Sequence, residues 1–501
     1  MRVKPLMIQG TMSGAGKSLL VAGFCRVLAQ DGVRVAPFKS QNMALNSAVT
    51  RDGLEIGRAQ ALQAQAAGIE PTVDMNPILL KPTSDVGSQV IVRGKPLATM
   101  PAREYFRFKS GLKKTILQSY DTLARTHDVI IIEGAGSPVE LNLKQDDIVN
   151  MGMAKLVSSP VLLVGDIDRG GVFAQLVGTM MLLEPDEREL VKATVVNKFR
   201  GDASLFDTGL DILRERTGIP VAGLIPWMHL DLEDEDSMSD RLFRSKASAL
   251  VDIAVIRLPK ISNFTDFMAL DALDDVCVRY VGTPSELGNP DLLILPGTKA
   301  TMADLMWLRT NGLEAAILKA ASSGLPVLGI CGGYQMLGES ISDPMGVEGG
   351  GALRGLGLLP VRTTFAGEKR TTHSQGAFLD VYGALAELSG VGVAGYEIHM
   401  GQTVRVGGEA LMRLERPDEA PMEAGCQHGN VYGCYLHGLC DHAAVSQALV
   451  RALLRRKGLI NVAAQAQDFA SYREQQLDVL AEGIRKSMDM DLIYRIIEEG
   501  A

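Results

Sequence analysis

Residues 8–18 read Ile-Gln-Gly-Thr-Met-Ser-Gly-Ala-Gly-Lys-Ser. An apolar strand enters, three glycines turn the chain, and Lys17-Ser18 opens a helix predicted over Lys17–Gln30. Glycine allows close backbone approach, so the N–H groups of Gly10, Thr11, Met12, Ser13, Gly14, Ala15 and Gly16 can face phosphate oxygens. The helix N-terminus adds its dipole. Lys17 can reach β- and γ-phosphates, and the Ser18 hydroxyl can ligate Mg²⁺. The strict pattern would place a glycine at position 11. Here that position is Thr11, and the glycine sits one residue earlier, at Gly10.

Working outward, the same strand-then-glycine arrangement recurs. Leu6-Met-Ile-Gln-Gly10, Val129-Ile-Ile-Ile-Glu-Gly134, Val161-Leu-Leu-Val-Gly165, Leu292-Leu-Ile-Leu-Pro-Gly297 and Pro326-Val-Leu-Gly-Ile-Cys-Gly332 are short apolar runs without alternation. That pattern suits strands buried on both faces of a parallel sheet. Helical stretches lie between them, such as Lys17–Gln30 and 111–126, which argues for α/β units.

A chain of 501 residues exceeds one core, so several domains are expected. Between 231 and 240 acidic residues crowd together and the apolar pattern stops. A new strand then begins at Val251. The predicted division is an ATP-binding domain over 1–235, an acidic linker over 236–250, a second α/β domain over 251–445 and a helical C-terminal extension over 446–501. The net charge of −9 argues against a general nucleic-acid binder. No apolar run is long enough for a membrane span, and the N-terminus lacks a secretory h-region. Six cysteines are no disulfide framework, so reduced thiols in the cytoplasm are the expectation. A homo-oligomer is left open.

Several charged residues could serve the phosphate loop. Glu133 ends a buried strand, where open sheets place ligand chemistry, and is the expected Mg²⁺ ligand beside Ser18. Lys39, in Pro37-Phe-Lys-Ser-Gln-Asn-Met43, is a second cation for transferring phosphate. Asp166 and Asp168 follow another strand, and Asp146 and Asp147 lie in a polar loop. Partitioning and septum-site ATPases carry an extra lysine early in this loop, where the present chain has Met12. That weakens such a reading.

The second centre is Gly329-Ile-Cys-Gly-Gly333, a strand running into a helix. It matches a nucleophile elbow, in which a sharp turn exposes the nucleophile and small neighbours permit the backbone. The helix N-terminus favours thiolate. His437, in Val431-Tyr-Gly-Cys-Tyr-Leu-His437, is the expected general base for Cys331, with His399 as rival.

Phe38-Lys-Ser-Gln-Asn-Met-Ala-Leu-Asn46, Val164-Gly-Asp-Ile-Asp-Arg-Gly-Gly-Val-Phe173, Leu295-Pro-Gly-Thr-Lys-Ala-Thr301 and Gly395-Tyr-Glu-Ile-His-Met-Gly401 together resemble the cobyric acid synthases. The resemblance spans residues 1 to about 445. It implies a dethiobiotin-synthetase-like P-loop domain followed by a flavodoxin-like class I glutamine amidotransferase domain. It further implies ATP- and glutamine-dependent amidation of the b, d, e and g carboxylates of adenosylcobyrinic acid a,c-diamide. By motif match, Cys331 is then the glutaminase nucleophile, His437 its base, the loop to Ser18 the ATP site and Glu133 a Mg²⁺ ligand. Many amidotransferases carry Glu two residues after the catalytic His; here that residue is Leu439. Asp441, a backbone carbonyl or a simple Cys–His dyad are the alternatives. Two other functions remain to be weighed. One is the sister a,c-diamide synthase; the other is a regulatory P-loop ATPase with an inactive amidotransferase-like domain.

Overall fold

The computed structural model describes residues 3–83, 87–232, 249–460 and 468–501. The chain forms two compact units. The first holds Met1–Ala44, Glu55–Leu232 and Arg473–Ala501; the second holds Leu45–Leu54 and Glu233–Tyr472. Of the expected acidic linker at 236–250, all but the last two residues lie outside the described residues.

The first unit is built on six parallel strands. In spatial order they are Val221–Pro226, Val191–Phe199, Val161–Asp166, Lys4–Gly10, Val129–Glu133 and Val35–Phe38. The central runs are buried along their length, which is why they read as continuous apolar segments. Helix Lys17–Gln30 has the bounds that its sequence predicts. The stretch 111–126 divides into a 3₁₀ turn, Lys109–Leu112, and helix Lys113–Ala124. The register sets Ile8 beside Glu133 and Gly10 beside Val164. The phosphate loop therefore lies at the carboxyl edge between two acidic strand ends, where open α/β sheets bind ligands. A smaller sheet pairs Gln41–Met43, Ile78–Pro82, Gly87–Val92 and Lys95–Pro101.

The second unit has parallel strands in the order Val276–Val281, Val251–Ile256, Leu292–Leu295, Val327–Ile330 and Val431–Cys434. This is the 2-1-3-4-5 order of a flavodoxin-like sheet, with Cys426–His428 added antiparallel at one edge. A further sheet is dominated by two long antiparallel strands, Val361–Phe378 and Gly392–Arg405.

Two segments are placed otherwise than their position in the sequence suggests. The described parts of 446–501 are mainly helical, but their helices join different cores. Helix Ala443–Arg456 packs Val445, Ala448, Leu449 and Leu453 into the core of the second unit. Leu477, Leu480, Ala481, Ile484 and Ile493 instead join Leu20, Val21 and Phe24 in the core of the first. Leu45–Leu54, read as part of the first domain, belongs to the second unit. It is tied there by its own polar groups: the Asn263 N–H donates to Asn46 Oδ1 at 2.8 Å, and the Ser47 N–H to Asn263 Oδ1 at 3.2 Å. Among the described residues no helix is long and apolar enough to cross a membrane.

Candidate functional site

In the first unit the phosphate loop folds tightly on itself. A Cβ on Gly10 would lie 3.1 Å from Ala15 Cβ, from Lys17 Nζ and from the Met12 carbonyl, so a side chain there would crowd the loop. Thr11 does not have positive φ and needs no glycine. Its N–H donates to the Val164 carbonyl at 2.9 Å and its hydroxyl to Gln175 at 3.0 Å. Lys17 arches over the loop, donating to the carbonyls of Met12 (3.0 Å) and Gly136 (3.2 Å).

Glu133 is the hub of the cluster and is buried. Its Oε1 accepts from Ser18 Oγ at 2.8 Å and from Lys39 Nζ at 2.7 Å. Its Oε2 accepts from Gln63 at 2.6 Å and, more weakly, from Gln60 at 3.4 Å. A buried carboxylate needs this degree of pairing, since an uncompensated one is expensive. The proximity of Ser18 and Glu133 gives two hard oxygens of the kind Mg²⁺ takes. Among the described residues no three His, Cys, Asp or Glu side chains are grouped to hold a metal. Protein oxygens alone do not complete a shell there; phosphate oxygens and water would have to.

Asp166 meets Lys198, whose Nζ lies 3.0 Å from its carboxylate and donates to the Gly14 carbonyl at 2.6 Å. Asn197 donates to the Ala15 carbonyl at 2.9 Å. Asp168 pairs with Arg200 at 2.6 Å, and that guanidinium stacks on Trp227. Asp147 is not part of the cluster. Its carboxylate accepts the N–H groups of Val149, Asn150 and Gly152 at the start of helix Met151–Val157. Gln60, Gln63, Asn197 and Lys198 escaped the sequence reading. The only hint was local: Gln60 and Gln63 lie three apart in Arg58–Ala66, on one helix face.

In the second unit Cys331 ends strand Val327–Ile330 and precedes helix Gly332–Leu337, with φ 52° and ψ −108°. A non-glycine residue at positive φ is costly and marks an imposed turn. A Cβ on Gly333 would fall 1.9 Å from the Leu295 carbonyl, so only glycine allows the helix to start this close to the neighbouring strand. The thiol is 7% exposed. His437 is buried beside it and interacts with the Cys331 side chain, whose Sγ lies 3.7 Å from the Ile398 carbonyl.

Asp266 supplies the orienting carboxylate. Its Oδ2 is 2.6 Å from His437 Nδ1, and its Oδ1 accepts the Gly438 N–H at 3.1 Å. Asp441, the sequence candidate, does not take this place. Burial alone would lower the His437 pKa, but the Asp266 carboxylate outweighs it, and with Cys331 the net shift is upward. Such an environment favours a protonated imidazole beside the Cys331 side chain. Asp266 sits in the turn Phe264–Phe267, far from His437 in sequence. A lone acid within Asn263-Phe-Thr-Asp-Phe-Met268 was its only signal.

His399 belongs to another network. Its Nδ1 faces the Gly401 carbonyl at 2.8 Å, its ring stacks on Tyr435, and its Nε2 lies 3.4 Å from Glu397. Burial would raise the Glu397 pKa, yet His399, Arg416 and Ser374 hold it down to about 2. Tyr396 stacks on His437, and its hydroxyl accepts from Asn263 Nδ2 at 3.1 Å and donates to the Ser47 carbonyl at 3.2 Å.

Comparison with known proteins follows the same division. The family model described as a CobQ/CobB/MinD/ParA nucleotide binding domain matches residues 6–238, and that of a CobB/CobQ-like glutamine amidotransferase domain matches 252–445. A protein of Ruminiclostridium cellulolyticum named cobyric acid synthase is 53% identical over 501 residues, 99% of this chain and 98% of its own. One of the same name from Lachnoclostridium phytofermentans is 53% identical over 99% of both chains. Another from Photorhabdus laumondii is 50% identical over 98% of both.

Proposed function

The chain belongs to the cobyric acid synthase family, and on that premise we propose that it amidates the b, d, e and g carboxylates of adenosylcobyrinic acid a,c-diamide, using ATP and glutamine. The observation that carries the reading is that one chain holds both a Glu133-centred phosphate loop and a hydrogen-bonded His437–Asp266 pair beside Cys331.

At the second centre the Cys331 thiolate attacks the glutamine carboxamide carbon. His437 gives its proton to the departing ammonia, leaving a thioester, and then takes a proton from the water that releases glutamate. Asp266 holds the ring so that Nε2 faces the sulfur. Backbone N–H groups near Gly297 and Gly332 are the candidates to receive the oxyanion; loss of one such donor typically costs about 10²–10³ in rate.

At the nucleotide centre a corrinoid carboxylate oxygen attacks the γ-phosphorus of ATP, releasing ADP and giving an acyl phosphate. Ammonia then displaces inorganic phosphate and forms the amide. Lys17 and Lys39 offset charge on the transferring group. Ser18 and Glu133 would hold Mg²⁺, which when bound neutralises the phosphate oxygens.

A cysteine at an imposed turn beside a bonded His437–Asp266 pair argues against an inert amidotransferase-like domain. Cys331→Ala should abolish glutamine-driven amidation and retain amidation driven by high ammonia. Loss of both would refute the two-centre scheme.

A further inference from the structure

Within the first unit a groove opens beside the phosphate cluster. One wall is the small sheet with helix Ala102–Phe108, and the other is the segment that follows Glu133. Three large apolar side chains on this groove face solvent: Met43 is 59% exposed, Leu143 45% and Phe106 40%. Met100 and Pro138 extend the apolar lining. Converging exposed apolar groups of this size mark a binding surface.

The groove is continuous with the chemistry. Ala135 and Ser137 line it and flank Gly136, whose carbonyl accepts from Lys17. Asn150, also in the lining, fixes this segment by bonding the Ala135 N–H and carbonyl and the Ser137 carbonyl. A group seated here can therefore bring one of its own atoms to the phosphates.

The polar lining is sparse and of mixed sign, but its charges are unequally committed. Asp147 is spent on three backbone N–H groups. Lys144 is paired with Glu187 at 2.7 Å. Lys109 is 7% exposed, and its ammonium lies 4.4 Å over the Phe106 ring. Among the described residues it has no hydrogen bond or ion pair. The carboxylates of Asp146 and Asp147 act on it only at longer range, so an incoming carboxylate can supply the direct contact it lacks.

We propose that this groove seats the corrin macrocycle, with the ring against the Met43–Met100–Phe106 wall and a peripheral carboxylate on Lys109 while another reaches the phosphate cluster. This rests on the corrinoid reading above. The ligand class follows from the combination of a broad apolar wall, a cation with no direct ion pair among the described residues and an opening onto Glu133 and Lys17. Four carboxylates around one ring must reach the same phosphate in turn. A wall of flexible thioethers with few directional contacts tolerates such different presentations better than a rigid polar lining would.

The test is equilibrium binding of the corrinoid a,c-diamide to the full chain, followed by the corrin absorbance and without ATP. Met43→Glu alters a solvent-facing position and should weaken binding about tenfold or more, through lost apolar contact and repulsion of carboxylates. Lys109→Met should also weaken it about tenfold, the loss expected for a charge-assisted contact. For the fully amidated product, which lacks the carboxylates, Lys109→Met should change little, a contrast that general misfolding would not give. ATP affinity in both variants should stay at the wild-type value, reporting an intact fold. If the wild type amidates the corrinoid but both variants bind it as tightly as the wild type, the groove is not the seat and the functional reading stands. If the wild type neither binds nor amidates the corrinoid, both fall.

Discussion

The two centres share an architecture and differ in where strain and charge are stored. Each is a strand–turn–helix at the carboxyl edge of a parallel sheet. In the phosphate loop the unusual backbone falls on glycines, Gly14 at φ 73° and Gly16 at φ 93°. In the cysteine turn it falls on the proposed nucleophile itself, Cys331 at φ 52°. The phosphate loop gathers one cation and several neutral donors onto one buried carboxylate, Glu133. The cysteine turn has a two-step relay, Asp266 to His437 to Cys331. A loop that cradles a polyanion needs many donors, and loss of one leaves others. A relay that moves a proton needs each member in one orientation, so it has no redundancy. Glutamine-driven and ammonia-driven amidation read the two centres separately.

The largest effect should come from the relay. Asp266→Asn preserves shape but removes the charge that orients His437 and raises its pKa. Glutamine-driven turnover should drop about 10³–10⁴-fold, as expected when a triad carboxylate is neutralised. The sign of the pH effect follows from the shift. Asp266 raises the His437 pKa, so protonated His437 survives to higher pH. Without the carboxylate the alkaline limb of the glutaminase profile should move to lower pH. Ammonia-driven amidation should be unchanged. A normal pH profile in the variant would break the contrast between relay and cradle.

The cradle should respond in stability as well as rate. Lys39 and Glu133 are 4% and 1% exposed and form a 2.7 Å ion pair. Lys39→Met leaves Glu133 buried with only neutral donors, and breaking such a pair costs about 3–5 kcal/mol. Urea unfolding should show that loss in the transition of the first unit, and amidation should fall with either nitrogen source. Lys39→Met with Glu133→Gln should recover much of the stability and none of the activity, which separates a buried-charge penalty from a packing defect. The Leu480 side chain, in the C-terminal segment that completes the core of this unit, offers a control. Leu480→Ala should cost about 2–5 kcal/mol and leave ATP affinity of the folded protein intact.

What the sequence disclosed follows from how local each interaction is. The parallel strands were legible because both faces are buried, giving apolar runs without alternation. Glu133 and Lys39 were legible because a strand end or a motif placed them. Asp266 was not, because its meaning comes from His437, brought to it only by folding. The long strands Val361–Phe378 and Gly392–Arg405 escaped notice because exposed, half-buried and buried positions mix along them without a clean period of two. The C-terminal segment showed its helices but not the core each would join. An amphipathic stripe states that a partner exists, not which one.

The smallest predicted effect concerns Leu45–Leu54, whose placement the sequence hid. Asn46 holds Asn263, and Asn263 in turn bonds the Tyr396 hydroxyl. Tyr396 stacks on His437, and Asn263 lies three residues before Asp266. Asn263 itself adopts φ 53°, a conformation asparagine tolerates when its side chain and backbone are both held. Asn46→Ala removes one acceptor and leaves the Asn263 N–H, in a buried setting, without that partner; a loss of about 1–2 kcal/mol is expected. The relay carboxylate then loses part of its support, and glutamine-driven turnover should fall about tenfold. The ammonia-driven rate should hold, because no member of the Glu133 cluster is touched. A fall in both rates would mean that Asn46 serves the phosphate centre instead, and the separation of the two centres would have to be redrawn at this segment.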